Sequence, residues 1–204
     1  NEKKGFFYPS VGGAWVMSKM FRLPEFISFG KLRAVWSKVG NDIPLYITNP
    51  VSHVGAGGEI EYADSAPFEN MKPEMTTSVE LGTEWRFLND RISFSGTYYK
   101  TNTRNQFFKL PAKSGDKYAY RYVNAGDIQN IGWEVSASAL PVVGKDFEWK
   151  SSLNYSTNKN KVVRLHEELP VFIYGPRGFS SSYAMKLVEG GSFGDIYGKA
   201  FRRD

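Results

Sequence analysis

The sequence predicts an all-β chain: an antiparallel up-and-down meander of the kind that forms the wall of a transmembrane β-barrel. Three observations lead there. Apolar and polar residues alternate between Lys72 and Leu165, short turns alternate with long connections, and aromatic residues gather toward strand ends. Successive side chains on a strand point to opposite faces, so a period of two marks a strand with one apolar face.

Four segments carry the alternation. The first sets Val79, Leu81, Trp85 and Phe87 against Ser78, Glu80, Glu84 and Arg86. The second sets Ile92, Phe94 and Tyr98 against Ser93, Ser95, Thr97 and Tyr99. In the third, Ile131, Trp133, Val135, Ala137 and Ala139 oppose Asn130, Glu134, Ser136 and Ser138. The fourth opposes Phe147, Trp149, Leu153 and Tyr155 to Glu148, Lys150, Ser152, Asn154 and Ser156.

Before this block, residues 5–18 read as a strand whose start is disturbed by Pro9 and the pair Gly12-Gly13. Met20 to Phe26, with Pro24, is a connector with a helical turn, and Ser28 to Lys38 is a second strand. Gly40 to Asn70 reads as a long loop, punctuated by Asn49-Pro50 and the glycines between 55 and 58. After Leu165 comes an irregular stretch with Pro170 and Gly175-Pro176. It leads to Ala184–Glu189 and a short strand near Ile196–Phe201. About six to eight wall strands are expected, each carrying its apolar residues on one side.

Leu88-Asn89-Asp90-Arg91 joins the first two segments of the block, and the six residues from Pro141 to Asp146 join the last two. Long connections follow Gly40, Gln106 and Val163. Compact soluble domains favour short loops throughout, whereas outer-membrane barrels pair short periplasmic turns with long extracellular loops. Trp85, Phe87, Ile92, Phe94, Phe147 and Trp149 lie near the short turns, and Trp133 and Tyr155 lie about eight residues away. At a tilt near 45°, eight residues climb roughly 19 Å, close to the ~25 Å apolar band between aromatic girdles. The alternative is a soluble secreted β-sandwich that binds carbohydrate, in which the same apolar residues would be buried against a second sheet.

Composition narrows the chemistry. There is no cysteine, hence no disulfide scaffold and no thiolate site. No apolar run reaches the length of a membrane-crossing helix, which says nothing against crossing by strands. The N-terminal Asn1-Glu2-Lys3-Lys4 leads into no signal-peptide apolar core, so the chain is either not exported or begins partway through a longer one.

A net charge of +5 comes from 26 basic and 21 acidic residues scattered through the chain; only Lys159 to Arg164 is locally basic, and it reads as a solvated loop edge. Nucleic acid is not an expected partner. His53 and His166, the two histidines, have no ligand cluster at metal spacing, and no cofactor is expected. The glycine run at 55–58 lacks the Lys-Ser/Thr of a phosphate loop, and Gly178-Phe179-Ser180 is no nucleophile elbow. Glu80, Glu84, Glu134 and Glu148 are spread along a wet face rather than paired in a cleft, so no enzyme is expected. Lys72-Pro73-Glu74 reads as entry to a strand, and Asn124-Ala125-Gly126 as a turn with positive φ. Tyr46, Tyr62, Tyr118, Tyr120 and Tyr174, placed in loops, are the candidates for substrate contact, since a flat amphipathic ring stacks on a sugar or peptide.

These residues also resemble a known family. Lys31-Leu32-Arg33-Ala34, Lys72-Pro73-Glu74 with Thr76-Thr77, Glu80-Leu81-Gly82 and Phe87-Leu88-Asn89-Asp90-Arg91 come first, in order. Tyr98-Tyr99-Lys100, Asn124-Ala125-Gly126, Gln129-Asn130-Ile131-Gly132-Trp133-Glu134 and Asn154-Tyr155-Ser156 with Asn158-Lys159-Asn160 follow. Together, from Gly5 to Gly198, they resemble the C-terminal barrel region of the SusC/RagA-like TonB-linked outer-membrane transporters. Val35-Trp36-Ser37 departs from the Ser-Tyr-Gly-like run usual there.

The resemblance implies that residues 1–204 are a partial barrel domain, without the plug and the remaining strands of a barrel of about 22 strands. It implies a bacterial outer-membrane location and import of glycans or oligopeptides. It also implies a SusD-like surface lipoprotein as partner and energy supplied by the TonB complex through the plug. Glu80, Glu84, Arg86, Glu134, Glu148 and Lys150 would then face the lumen. Val79, Leu81, Trp85, Phe87, Ile92, Phe94, Trp133, Val135, Phe147, Trp149, Leu153 and Tyr155 would face outer-membrane lipid.

Overall fold

The computed structural model describes residues 7–41, 47–68, 71–112, 115–165, 171–177 and 182–200, except for the side chains of 125, 171, 172 and 174–177. In chain order the elements are β1 (Ser10–Val16), α1 (Met17–Met20), β2 (Ile27–Asn41), β3 (His53–Val54), β4 (Ile60–Glu61), β5 (Glu74–Phe87) and β6 (Ile92–Pro111). They continue with β7 (Tyr120–Val143), β8 (Glu148–Leu165), β9 (Val171–Arg177), β10 (Tyr183–Val188) and β11 (Ile196–Gly198). One antiparallel sheet takes the order β1-β2-β5-β6-β7-β8, a second β11-β10-β9, and β3 pairs with β4. The six-stranded order does not close on itself: β1 and β8 are its edges.

The four alternating segments are all strands, as the pattern requires, but they are longer than the alternation alone marks. β6 runs for 20 residues and β7 for 24. A tilted strand needs about 9–11 residues to cross a bilayer. The extra length corrects three expectations. The long connection after Gln106 shrinks to residues 112–119, closed by Ala112 donating to Ala119 at 2.9 Å. Asn124-Ala125-Gly126 lies inside β7 with no positive φ. The basic stretch Lys159–Arg164 is part of β8 and includes Val162, which is fully buried.

The short turn before β8 is also tighter than read, while the one at 88–91 is as expected. β7 reaches Val143, so Gly144 to Phe147 make the turn, with the Gly144 amide donating to the Phe147 carbonyl at 2.8 Å. Phe147 precedes β8 rather than belonging to it. At the other hairpin Leu88, Asn89 and Asp90 all take positive φ, at 54°, 54° and 65°. Asn and Asp tolerate that region; Leu does so at a cost. The stretch expected to be irregular after Leu165 contains β9, which accommodates Pro176 because it is an edge strand.

The chain divides into two units. The first takes the described residues of 1–39, 77–102 and 129–160, and the second those of 40–76, 103–128 and 161–204. The second has buried apolar residues: Val162, Leu165 and Leu187 pack with Phe108 and Phe193, while Ile47, Phe68, Leu110 and Ile128 are buried as well. In the first unit no described apolar side chain of this size is buried. Trp133 is 53% exposed and Leu153 69%, and Leu81, Ile92, Phe94, Trp149 and Tyr155 are exposed too. Where a soluble sandwich has its core, this sheet has an uncovered apolar face.

Candidate functional site

Two opposite linings define the first unit. On one face, Lys31, Arg33, Glu84, Arg86, Ser93, Ser95, Thr97, Ser136, Ser138, Ser152 and Asn154 border a shallow polar cleft of about 480 Å³. Short side chains tie neighbouring strands across it: Ser93 to Ser138 at 2.7 Å, Ser136 to Asn154 at 2.7 Å, and the Arg33 guanidinium donating to Thr97 at 2.8 Å. Gly82 is needed here, since a Cβ would overlap the Arg33 side chain. Likewise Gly132 leaves room for the Tyr99 ring. Arg86 donates to Glu84 at 2.9 Å and lies 4.9 Å from the centre of the Phe29 ring. Three cations and one carboxylate thus edge a floor of hydroxyls and amides, which suits hydrated or polar matter.

The other face carries Trp15, Leu32, Ala34, Leu81, Thr83, Phe94, Gly96, Tyr98, Trp133 and Val135 around an apolar recess of about 600 Å³. Register sets these together: Trp15 pairs with Leu32 and Ala14 with Arg33, so the two β1 residues fall on opposite faces. The Tyr98 and Trp133 rings meet at 4.8 Å and 51°. Trp85 sits over Gly30, whose Cβ would overlap its ring, and its indole N–H donates to Thr83 at 2.6 Å. Near the turn, Phe26 stacks with Phe87 at 6.5 Å.

Of the residues expected on the apolar side, Leu81, Phe94, Trp133 and Val135 line this recess. Strand alternation puts Val79, Trp85, Phe87, Ile92, Trp149, Leu153 and Tyr155 on the same side. Of those expected on the polar side, Glu84 and Arg86 border the cleft and pair; Glu80, Glu134, Glu148 and Lys150 are exposed on that face and are not drawn together.

The second unit holds the described tyrosine candidates. Lys117 lies 4.9 Å from the Tyr62 ring and 5.7 Å from that of Tyr118, and Lys109 lies 4.1 Å from Tyr120. The loop is drawn in by Asp64, whose carbonyl accepts from the amides of Ala119 and Tyr120 at 2.9 and 3.0 Å. Tyr62 also borders a cleft with His53, Glu61, Asp64 and Ser65. Two expectations change: Tyr120 begins β7 rather than lying in a loop, and Tyr174 lies within β9, its side chain undescribed. Tyr46, His166 and Gly178–Ser181 fall outside the described residues.

One cluster went unread in the sequence. Glu74, after Pro73, is 7% exposed; its carboxylate accepts from the Phe107 amide at 3.1 Å and from the Asn41 side chain at 3.1 Å. The Asn124 side chain accepts from the Lys72 amide at 2.9 Å, donates to the Lys72 carbonyl at 2.9 Å and to the Asn105 carbonyl at 2.7 Å. Asn105 itself takes φ 58° and donates its amide toward Asp127. The strand-entry motif at 72–74 is therefore a polar knot. Its only signal in sequence was an acid directly after a strand-opening proline.

Comparison with known proteins agrees with this geometry. The family model described as TonB dependent receptor-like, beta-barrel matches residues 1–177. TonB-dependent receptor P3 of Formosa agariphila is 29% identical over 99% of this chain and 21% of its own length. TonB-dependent receptor SusC of Bacteroides thetaiotaomicron is 32% identical over 78% of this chain and 17% of its own. Among solved structures, the RagAB peptide transporter superposes with a TM-score of 0.74 at 19% identity, over 90% of this chain and 20% of that one. The chain spans about a fifth of the length of these relatives. It belongs to the TonB-dependent receptor-like β-barrel family and is part of an outer-membrane β-barrel.

Proposed function

We propose that this chain supplies part of the barrel wall of a TonB-dependent importer of glycans or oligopeptides, working with a SusD-like surface lipoprotein. One observation carries the reading. The sheet of the first unit has an uncovered apolar face and, opposite it, a hydroxyl-lined polar face. A bilayer outside and a hydrated lumen inside match that pair; a second sheet matches neither.

On this reading Val79, Leu81, Trp85, Phe87, Ile92, Phe94, Trp133, Val135, Phe147, Trp149, Leu153 and Tyr155 face lipid. Glu80, Glu84, Arg86, Glu134, Glu148 and Lys150 face the lumen and plug, where charge stays hydrated. Tyr62, Tyr118 and Tyr120, gathered around Lys109 and Lys117, offer stacking faces to substrate, with Tyr46 and Tyr174 as further candidates. The chain makes and breaks no bond. Transport is driven by TonB acting through the plug, and the lipoprotein caps the loops. Support for peptide cargo comes from the name of one similar structure, the RagAB peptide transporter, and glycan cargo rests on the SusC/RagA-like resemblance of the sequence.

The test is uptake by cells carrying the full-length protein, its lipoprotein partner and TonB, supplied with labelled oligosaccharides or oligopeptides. Uptake of one pool that stops when TonB or the lipoprotein is deleted is expected. Uptake of neither, or uptake indifferent to both deletions, would contradict the proposal.

A further inference from the structure

Four glycines in the six-stranded sheet have a steric reason to be glycine. A Cβ would overlap Trp85 at Gly30, Arg33 at Gly82, Phe108 at Gly126 and Tyr99 at Gly132. Gly96, inside β6, is different. A Cβ there would meet only Phe94 at 3.5 Å and Thr83 at 3.8 Å, which is ordinary contact, and its φ is not positive. Glycine within a strand loses backbone entropy and packing, and it marks places where another group approaches closely. Among the described residues nothing approaches Gly96 closely enough to require glycine. It opens into the apolar recess walled by Trp15, Leu32, Phe94, Tyr98 and Trp133.

The recess reaches Trp15 in β1, where the chain turns into α1 and on to β2 carrying Lys19 and Arg22, both exposed. Trp15, followed closely in sequence by these two exposed cations, has the composition of a membrane interface: an amphipathic ring with positive charge in the adjoining turn. An occupant that matches both parts has a long apolar chain joined to a phosphate. At about 600 Å³ the recess falls in the range of small-ligand sites.

We propose that the recess seats one acyl chain of an anionic phospholipid, whose phosphate lies against Lys19 and Arg22, an inference that rests on the lipid-facing reading of this face. This is a site for a single molecule, distinct from the general contact that every wall residue makes with lipid. The Tyr98–Trp133 ring pair and Trp15 clasp the chain from the sides, and Gly96 lets it lie against the strand backbone.

The test uses the full-length barrel purified in mild detergent and titrated with phosphatidylglycerol or phosphatidylcholine, with bound lipid read by native mass spectrometry. The expected result is one retained phosphatidylglycerol per barrel, with affinity lowered about tenfold or more by Gly96→Leu, which fills the recess. Ala34→Leu fills it from β2, on the far side of β5, and should act alike if the first variant assembles poorly. Lys19→Gln with Arg22→Gln should abolish the preference for phosphatidylglycerol while leaving some lipid bound. Equal retention by wild type and both filled variants overturns the proposal, as does a retained lipopolysaccharide or second copy of the chain in place of phospholipid. A spin label at Leu153, on the same face but outside the recess, separates the two levels. If that label is not reached from lipid, the wall reading itself fails; if it is reached while Gly96→Leu changes nothing, only the seat is wrong.

Discussion

The side-chain amide of Asn124 stands in for a peptide group opposite Lys72: it accepts from the Lys72 N–H at 2.9 Å and donates to the Lys72 C=O at 2.9 Å. A β-ladder pair exchanges the same two bonds between backbones. Here a side chain from β7 makes them just ahead of Pro73, which has no N–H to offer a ladder. Asn124→Leu leaves both groups of Lys72 and the Asn105 carbonyl without this partner. It is expected to lower the stability of the full-length barrel by about 2 kcal/mol. Asn124→Asp keeps the acceptor and should lose less. Unfolding of the heat-modifiable band on gels, followed with temperature, checks both.

Glu74 gives a second test of the same knot. Glu74→Leu strands the Phe107 amide and the Asn41 side chain, costing about 1–3 kcal/mol. Glu74→Gln retains an acceptor for the Phe107 amide and should fall between Leu and wild type. The same unfolding gel ranks the three, and equal losses for Gln and Leu would show that the negative charge, not hydrogen bonding, is what matters.

At the β5–β6 turn, Leu88 holds φ 54° with its side chain half exposed. The left-handed region costs an L-residue roughly 1–2 kcal/mol, and glycine escapes that cost. Leu88→Gly is therefore expected to stabilise the barrel by up to about 1 kcal/mol in urea unfolding. A loss of stability would mean that the Leu88 side chain contributes more through contact than its backbone costs.

Val135 and Ser136 are neighbours in β7 on opposite faces, so arginine tests the faces separately. If the apolar face meets lipid as proposed, Val135→Arg brings charge into the bilayer, a penalty of about 2–4 kcal/mol near the midplane, and should block assembly into the outer membrane. Ser136→Arg points into the polar cleft and should assemble. Membrane fractionation of full-length variants decides it.

How much of this was legible in the sequence follows from what each residue spends its side chain on. Leu81, Phe94, Trp133 and Leu153 alternate with polar neighbours, and alternation is a local property, so the strands and their two faces could be read directly. Strand extents could not. Asn105, Asn124, Gly126 and Asp127 have the chemistry of turns, yet here they form a left-handed residue held by a neighbouring carboxylate, a side-chain ladder pair and a seat for Phe108 within long strands. Each depends on a partner far along the chain: Asn124 on Lys72, Gly126 on Phe108, Glu74 on Asn41. The tyrosines show the same limit. Tyr120 reads as loop because the residues that pair it, Asp64 and Ala66, come more than fifty positions earlier.

On the proposed reading one face of this sheet meets lipid and the other meets water. Residues 1–204 contain no cysteine, so once any cysteine elsewhere in the full-length protein is replaced by serine, single cysteines at Trp133, Leu153, Ser136 and Ser138 can each carry a spin label. The measurement is collision with oxygen, which concentrates in lipid, against a water-soluble nickel chelate, in reconstituted bilayers. Labels at 133 and 153 are predicted to be reached from lipid and shielded from the chelate, and those at 136 and 138 the reverse. Uniform accessibility at all four sites, or lipid contact at 136 and 138, would contradict the account.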